Sequence, residues 1–278
     1  MEITQTVADL KAELTQTVAD LKVVTQTVGD LKAEIGQLES IIAFEGGRPL
    51  SPPKHLQVRV IGGFFADFIS SGYSTYDQLN RFLSNRNRQL SDFHDILDFG
   101  CGCGRIVRAL RQRLPADVRL FGTDIDSEAI AWLQENYRGI AEFGVNPHLP
   151  PTAYRDNTFD FIYSVSILTH LPEAMQFAWL KELHRIAKPG ALLILTTSGD
   201  HHRRTLSPAE LAQLDATGFF YRETTVSVAE GLPAFYSTAH HSPSYIQREW
   251  KQWFDILEFQ ANGLDNWQDM TLLAKRLS

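Results

Sequence analysis

Asp98-Phe-Gly-Cys-Gly-Cys-Gly-Arg105 sets three glycines at alternate positions, Gly100, Gly102 and Gly104. They follow a short apolar run, Asp95-Ile-Leu-Asp-Phe99, and precede a stretch of helical spacing, Arg105–Leu114. A glycine-rich turn between a strand and a helix lets the backbone reverse tightly and approach a ligand where a Cβ would collide. The alternation then continues along the chain. Val118–Thr123 reads as a strand, and Ser127–Tyr137 as a helix with Ile130 and Leu133 on one face. A short run follows at 141–145, then a strand at Phe159–Ser164, a helix at Glu173–Ala187 and a strand at Ala191–Thr197. Strand and helix alternating at this spacing predict parallel βαβ units in a doubly wound α/β sheet, with ligands beyond the carboxyl ends of the strands.

The acids around the loop specify the ligand. Asp98 precedes the glycines, and Asp124 ends the second strand 20 to 26 residues on. An acid there accepts hydrogen bonds from both hydroxyls of a ribose. No Gly-Lys-Ser/Thr follows the loop, so it is not a Walker-type phosphate cradle, and the spacing by two with Arg at 105 departs from the nicotinamide fingerprint G-x-G-x-x-G. Asp126-Ser127 reads instead as a helix amino-terminal cap.

Ile96-Leu-Asp-Phe-Gly-Cys-Gly-Cys-Gly-Arg105 resembles the first motif of class I S-adenosylmethionine-dependent methyltransferases. Leu120-Phe-Gly-Thr-Asp124-Ile-Asp126 is similar to the second motif, and the run from Pro150 to Leu171 to the motif around the fourth strand. Glu182-Leu-His-Arg-Ile-Ala-Lys-Pro-Gly190 resembles the approach to the fifth strand, with Ala191 where a second glycine is common. The resemblance spans about residues 95–197. It implies a Rossmann-like, seven-stranded, mostly parallel sheet whose last two strands, at 254–259 and 270–275, form an antiparallel pair. The implied cofactor is S-adenosylmethionine, held by Asp98, Gly100, Cys101, Gly102, Arg105, Asp124, Ile125, Asn146, Pro147 and Ser164. Asn146 stands where the family usually presents an Asp to adenine, and its side-chain carbonyl still suits the adenine amino group. Thr169-His170-Leu171 and Gln268-Asp269 point toward a bacterial branch associated with glycan or natural-product modification.

The first forty residues are built differently. TQTVADLK at Thr4–Lys11 recurs identically at Thr15–Lys22 and as TQTVGDLK at Thr25–Lys32. Val7, Leu10, Leu14, Val18, Leu21, Val24, Val28, Leu31, Ile35 and Leu38 follow one another by steps of 3 or 4. That is one narrow stripe on a long helix, the seam of a coiled coil; at 1.5 Å per residue it spans roughly 57 Å. The alternative is a solvated helix folded along the body, but so thin a stripe buries little on a single broad surface. The number of strands is open, because Val and Leu mix at both seam positions. Gly46, Gly47, Pro49, Pro52 and Pro53 end the helix. The expected organisation is therefore a coiled-coil oligomerisation helix at 1–43, a linker and cap helices at 44–94, and the cofactor-binding domain at 95–278. A substrate-capping segment is expected at about 200–250.

Composition excludes other classes. The net charge is −7, of which residues 1–45 carry −5, so no basic face wraps nucleic acid. No run of eighteen apolar residues provides a membrane span, and the start of the chain shows no secretory signal. Two cysteines, Cys101 and Cys103, support neither a disulfide framework nor a zinc site, and they suit a reducing cytoplasm.

The expected activity is methyl transfer to a small-molecule or glycan acceptor, with oxygen as the target atom and without a metal. Self-association is expected through residues 4–42. A hydroxyl acceptor must lose its proton, which makes His241, His240 and His170 the candidate bases. His170 also fits a helix-capping role. Gly218-Phe-Phe-Tyr-Arg and Phe235-Tyr236 either shape the acceptor pocket or form a core hairpin. The competing reading is a cofactor-binding scaffold assembled by the coil without turnover.

Overall fold

The computed structural model describes residue 11 and residues 14–28, 51–61, 67–223, 233 and 235–277. Residues 14–28 form helix α1, the described part of the predicted coil; the remainder of the stripe lies outside the described residues. Leu14, Val18, Leu21, Val24 and Val28 of that stripe are 44–65% exposed, so α1 buries none of them within one chain. Thr15, Thr25 and Thr27 return their hydroxyls to the carbonyls of Lys11, Leu21 and Val23, one turn back.

Residues 51–278 make one compact unit. It includes α2 (Lys54–Ile61) and α3 (Phe68–Ser84), the helices expected as caps. Residues 62–66 lie outside the described residues. α3 sinks Leu79, Phe82 and Leu83 almost completely and packs on α4 (Arg105–Arg113).

The central sheet runs β3 (Glu142–Val145), β2 (Arg119–Asp124), β1 (Asp95–Phe99), β4 (Phe159–Ser164), β5 (Ala187–Ser198), β9 (Gln268–Ala274), β8 (Asp255–Leu264). The first five strands are parallel, and β9 pairs antiparallel with both β5 and β8. The predicted seven-stranded, doubly wound sheet is present, with its antiparallel end. All five residues of β1 are buried, Asp95 and Asp98 among them, so the strand shows no alternation of buried and exposed positions. Between the strands lie α5 (Ser127–Asn136) and α6 (Glu173–Ile186). Asp126 caps α5 as the sequence predicts, accepting from Glu128 N and Ala129 N.

The stretch expected to cap the substrate holds α7 (Asp200–Arg203), α8 (Pro208–Thr217), β6 (Phe219–Arg222), β7 (Thr238–His241) and α9 (Pro243–Glu249). β6 and β7 pair only with each other, so Phe219–Arg222 does belong to a hairpin. A core of Leu97, Phe99, Ile162, Leu183, Leu193 and Trp250 joins the sheet to α6 and to the turn after α9.

Candidate cofactor site

The cleft opens at the carboxyl ends of β1, β2 and β4. Gly100 N and Cys101 N both donate to Thr123 O, at 2.8 and 3.0 Å, which ties the glycine loop to the end of β2. Gly100 has φ +84° and Gly102 φ +53°, in the left-handed region that favours glycine. A Cβ on Gly100 would stand 2.2 Å from Ile167 Cδ1, and one on Gly102 2.5 Å from Val60 Cγ2. The glycines therefore let two walls close on the loop: Ile167 after β4, and Val60 from α2.

Asp124 lines this cleft. Its Oδ2 accepts from Gly102 N at 2.7 Å and its Oδ1 from Asp126 N at 2.9 Å. Burial pushes its carboxyl up, and those backbone donors pull it back. A carboxylate has about four lone-pair sites. Two are taken here, leaving acceptors for the adjacent hydroxyls of a ribose. Asn146, 6% exposed, also lines the cleft. Its Oδ1 faces Thr123 Oγ1 at 3.0 Å and its Nδ2 donates to Pro147 O at 2.9 Å. Thr123 has one hydroxyl proton for Asn146 and for Gly144 O at 2.9 Å, so the Asn146 carbonyl keeps acceptor capacity.

Asp98 lies deeper. It is 2% exposed, and its Oδ2 has no hydrogen-bond partner among the described residues. Burial raises its carboxyl to about 7, against the pull of the Tyr163 hydroxyl and the Arg105 cation. Asp98 does not line the cleft itself; its unpaired Oδ2, at the end of β1 just before the glycine loop, would suit a cofactor that carries an ammonium group.

α2 forms a wall that local spacing does not reveal. Leu56, Arg59 and Val60 all line the cleft. Arg59 Nη1 donates to Asp126 Oδ2 at 2.9 Å and Glu128 Oε2 at 2.8 Å, and His55 Nε2 meets Glu128 Oε1 at 2.9 Å. The pairing joins α2 to the amino terminus of α5, beside Asp124.

Of the residues expected to hold the cofactor, Gly100, Gly102, Asp124, Ile125 and Asn146 meet at the cleft. Arg105 turns away, its Nη1 donating to Thr75 Oγ1 at 3.1 Å on α3. Cys101 is buried, with its thiol pushed up by burial and by Asp98 and Asp124. Ser164 is 1% exposed and Pro147 meets Asn146 through its carbonyl; neither lines the cleft.

The three histidines lie behind the cleft wall. His170 Nδ1 donates to Ser237 O at 2.6 Å, since a carbonyl only accepts, and its ring stacks on Tyr236 with centroids 4.1 Å apart. Tyr236 and Phe235 line the cleft, so His170 supports that aromatic wall. His241 Nε2 pairs with Gln176 Oε1 at 2.8 Å. Gln176 Nε2 already donates to Leu168 O and Leu171 O, so His241 must be the donor, bracing the loop after β4. His240 is 2% exposed, its ring tilted on Phe220. Burial lowers His170 and His240 to about 4 and His241 to about 3, so all three rings are neutral near pH 7. His148, not anticipated as a site residue, is the histidine that does line the cleft, edge-on to Phe235 at 5.2 Å.

A doubly wound sheet with a cleft at the carboxyl ends of its strands defines the fold class. Residues 96–190 match the family described as methyltransferase domain. A probable S-adenosylmethionine-dependent methyltransferase of Mycolicibacterium smegmatis is 28% identical over 171 residues, 56% of this chain and 63% of that protein. A demethylmenaquinone methyltransferase of Lactiplantibacillus plantarum is 27% identical over 151 residues, 48% of this chain and 62% of that protein. The chain thus spans about three-fifths of the length of these curated relatives. A crystal structure of an S-adenosylmethionine-dependent methyltransferase from Mesorhizobium loti superposes with a TM-score of 0.53 at 14% identity, covering 70% of this chain and 96% of that one. The match over residues 96–190 is to a methyltransferase domain, and the relatives that share this stretch point to S-adenosylmethionine as the cofactor. Among the described residues no helix is long and apolar enough to cross a membrane, and no cluster of His, Cys, Asp and Glu could hold a metal.

Proposed function

We propose that the protein transfers a methyl group from S-adenosylmethionine to a hydroxyl of a small-molecule or glycan acceptor. The observation that carries this reading is Asp124, fixed by Gly102 N and Asp126 N with acceptor capacity left toward the cleft. Bound there, the cofactor supplies an electrophilic methyl on a sulfonium. The chain's own work is alignment: Asp124 and Asn146 hold the nucleoside, Asp98 faces the ammonium, and the glycine loop admits the backbone close by. Phe235 and Tyr236 offer ring faces on the acceptor side, where aromatic quadrupoles favour a cation. The acidic balance suits a small acceptor better than nucleic acid.

Self-association through residues 4–42 belongs to the same proposal, supported by the exposed Leu14, Val18, Leu21, Val24 and Val28. Both cysteines are free thiols, in keeping with the cytoplasm. Calorimetry with S-adenosylmethionine, followed by labelled methyl transfer screened over sugar nucleotides, alcohols and phenols, tests the reading. Tight cofactor binding with no transfer to any of them would favour the scaffold instead.

A further inference from the structure

Ser166 is a non-glycine residue held at φ +64°, in the loop that leaves β4, and it lines the cleft. A side chain in that region costs about 1–2 kcal/mol, so the surroundings must impose it. They do so from three directions. Ser166 N donates to Thr196 Oγ1 of β5 at 2.9 Å, and Ser166 O accepts from Thr169 Oγ1 at 2.8 Å. Ser166 Oγ accepts from Gln268 Nε2 of β9 at 2.5 Å.

The last contact leaves two groups unused. Because Ser166 Oγ accepts from Gln268, its own proton is uncommitted, and no described residue accepts it. Gln268 Oε1, the other end of the same amide, is buried without a partner, in a residue only 9% exposed. A buried orphan acceptor costs roughly 1–3 kcal/mol, and native proteins keep few of them. One amide joins the two ends, so the orphan oxygen belongs to the same group that reaches the cleft-lining Ser166 hydroxyl, although Gln268 itself stands one layer behind the lining. Turning the Gln268 amide over would exchange donor and acceptor and leave the same complementary pair.

We infer that Ser166 and Gln268 together form the subsite that recognises the reacting hydroxyl of the acceptor. An alcohol or phenol O–H can donate to the Gln268 carbonyl while accepting from the Ser166 hydroxyl. Near neutral pH a carboxylate offers only acceptors, and an ammonium only donors, so neither satisfies both partners. Strain at Ser166 is then explained by placement: the left-handed turn sets its hydroxyl on the cleft wall, where the strand ends bring Gln268 against it. Both are positioning residues, since neither side chain removes a proton at neutral pH.

This inference rests on the methyltransferase reading, and the test separates the two. The protein saturated with S-adenosylhomocysteine is titrated with phenol, benzoate and benzylamine, followed by saturation-transfer NMR. Ser166→Gly keeps the backbone turn and removes the hydroxyl; Gln268→Leu removes the amide from the other side. The wild type is expected to prefer phenol over benzoate and benzylamine by at least fivefold, and both variants to lose that preference. Absence of phenol binding, equal binding of the three probes, or a preference that survives both substitutions would overturn the subsite. Failure of S-adenosylhomocysteine to bind the wild type would instead overturn the methyltransferase reading.

Discussion

Asp124 Oδ2 accepts the backbone N–H of Gly102 at 2.7 Å, so the acid proposed to hold the ribose also fixes the glycine loop. Cofactor affinity and loop stability are therefore linked through one side chain. Asp124→Ala should weaken S-adenosylmethionine binding by more than tenfold and lower the melting temperature by several degrees. Two backbone donors lose their acceptor, at roughly 1–3 kcal/mol each. Asp124→Asn keeps one acceptor oxygen and should fall between. Calorimetry and thermal melts read the two effects separately, and unchanged affinity in Asp124→Ala would remove the acid from the site.

The Asp98 carboxyl, raised by burial to about 7 from an ordinary 3.8, gives a pH signature. Between these values the folded state holds a proton that the unfolded chain has released. Its contribution to stability is thus present near pH 4 and lost as pH rises through 7. Melting curves should show the wild type losing stability relative to Asp98→Asn between about pH 4 and 7. If an ammonium settles beside Asp98, binding should release a proton near pH 6.5, detectable by calorimetry in two buffers of different ionisation enthalpy.

Arg59 bridges Asp126 and Glu128 across the mouth of the cleft. Partly exposed ion pairs contribute about 1 kcal/mol or less, so Arg59→Ala should speed cofactor dissociation about three- to fivefold. Stopped-flow measurements should also show the wild-type rate rising with salt and the variant's rate responding less. Identical dissociation rates in both proteins would mean that α2 does not gate the cleft.

Full-length protein should be an oligomer, whereas residues 46–278 should be a monomer or a weaker assembly. Each leucine or valine buried in the seam contributes roughly 1.5–3 kcal/mol, so Leu21→Asp, at a position 64% exposed in the single chain, should also shift the full chain toward monomer. Light scattering of the three proteins decides this. Equal masses would place the interface on the body or dismiss the coil as one.

The strand–helix alternation, the glycine loop and the placement of Asp124 were legible in the sequence because each depends on neighbours close in the chain. A strand buried on both faces is an apolar run, a tight turn needs glycine, and the end of the next strand lies beside that turn in any parallel βαβ unit. The cap at Asp126 was readable from local chemistry, and family resemblance gave the antiparallel pair, expected at 254–259 and 270–275 and found at 255–264 and 268–274.

Tertiary structure alone decided which side chains share the cleft. Arg105 stands beside the loop in sequence, yet its guanidinium turns to Thr75 because α3 packs there. Arg59 reaches Asp126 across 67 residues, with no periodic signal to mark it. His241 and His240 are adjacent in β7, and the pleat sends one ring to Gln176 and the other to Phe220. Ser166 and Gln268 meet across 102 residues because β9 inserts antiparallel beside β5. Local pattern specifies which elements form; the order and direction of strands then specify which distant side chains meet, and a linear pattern carries little of that information.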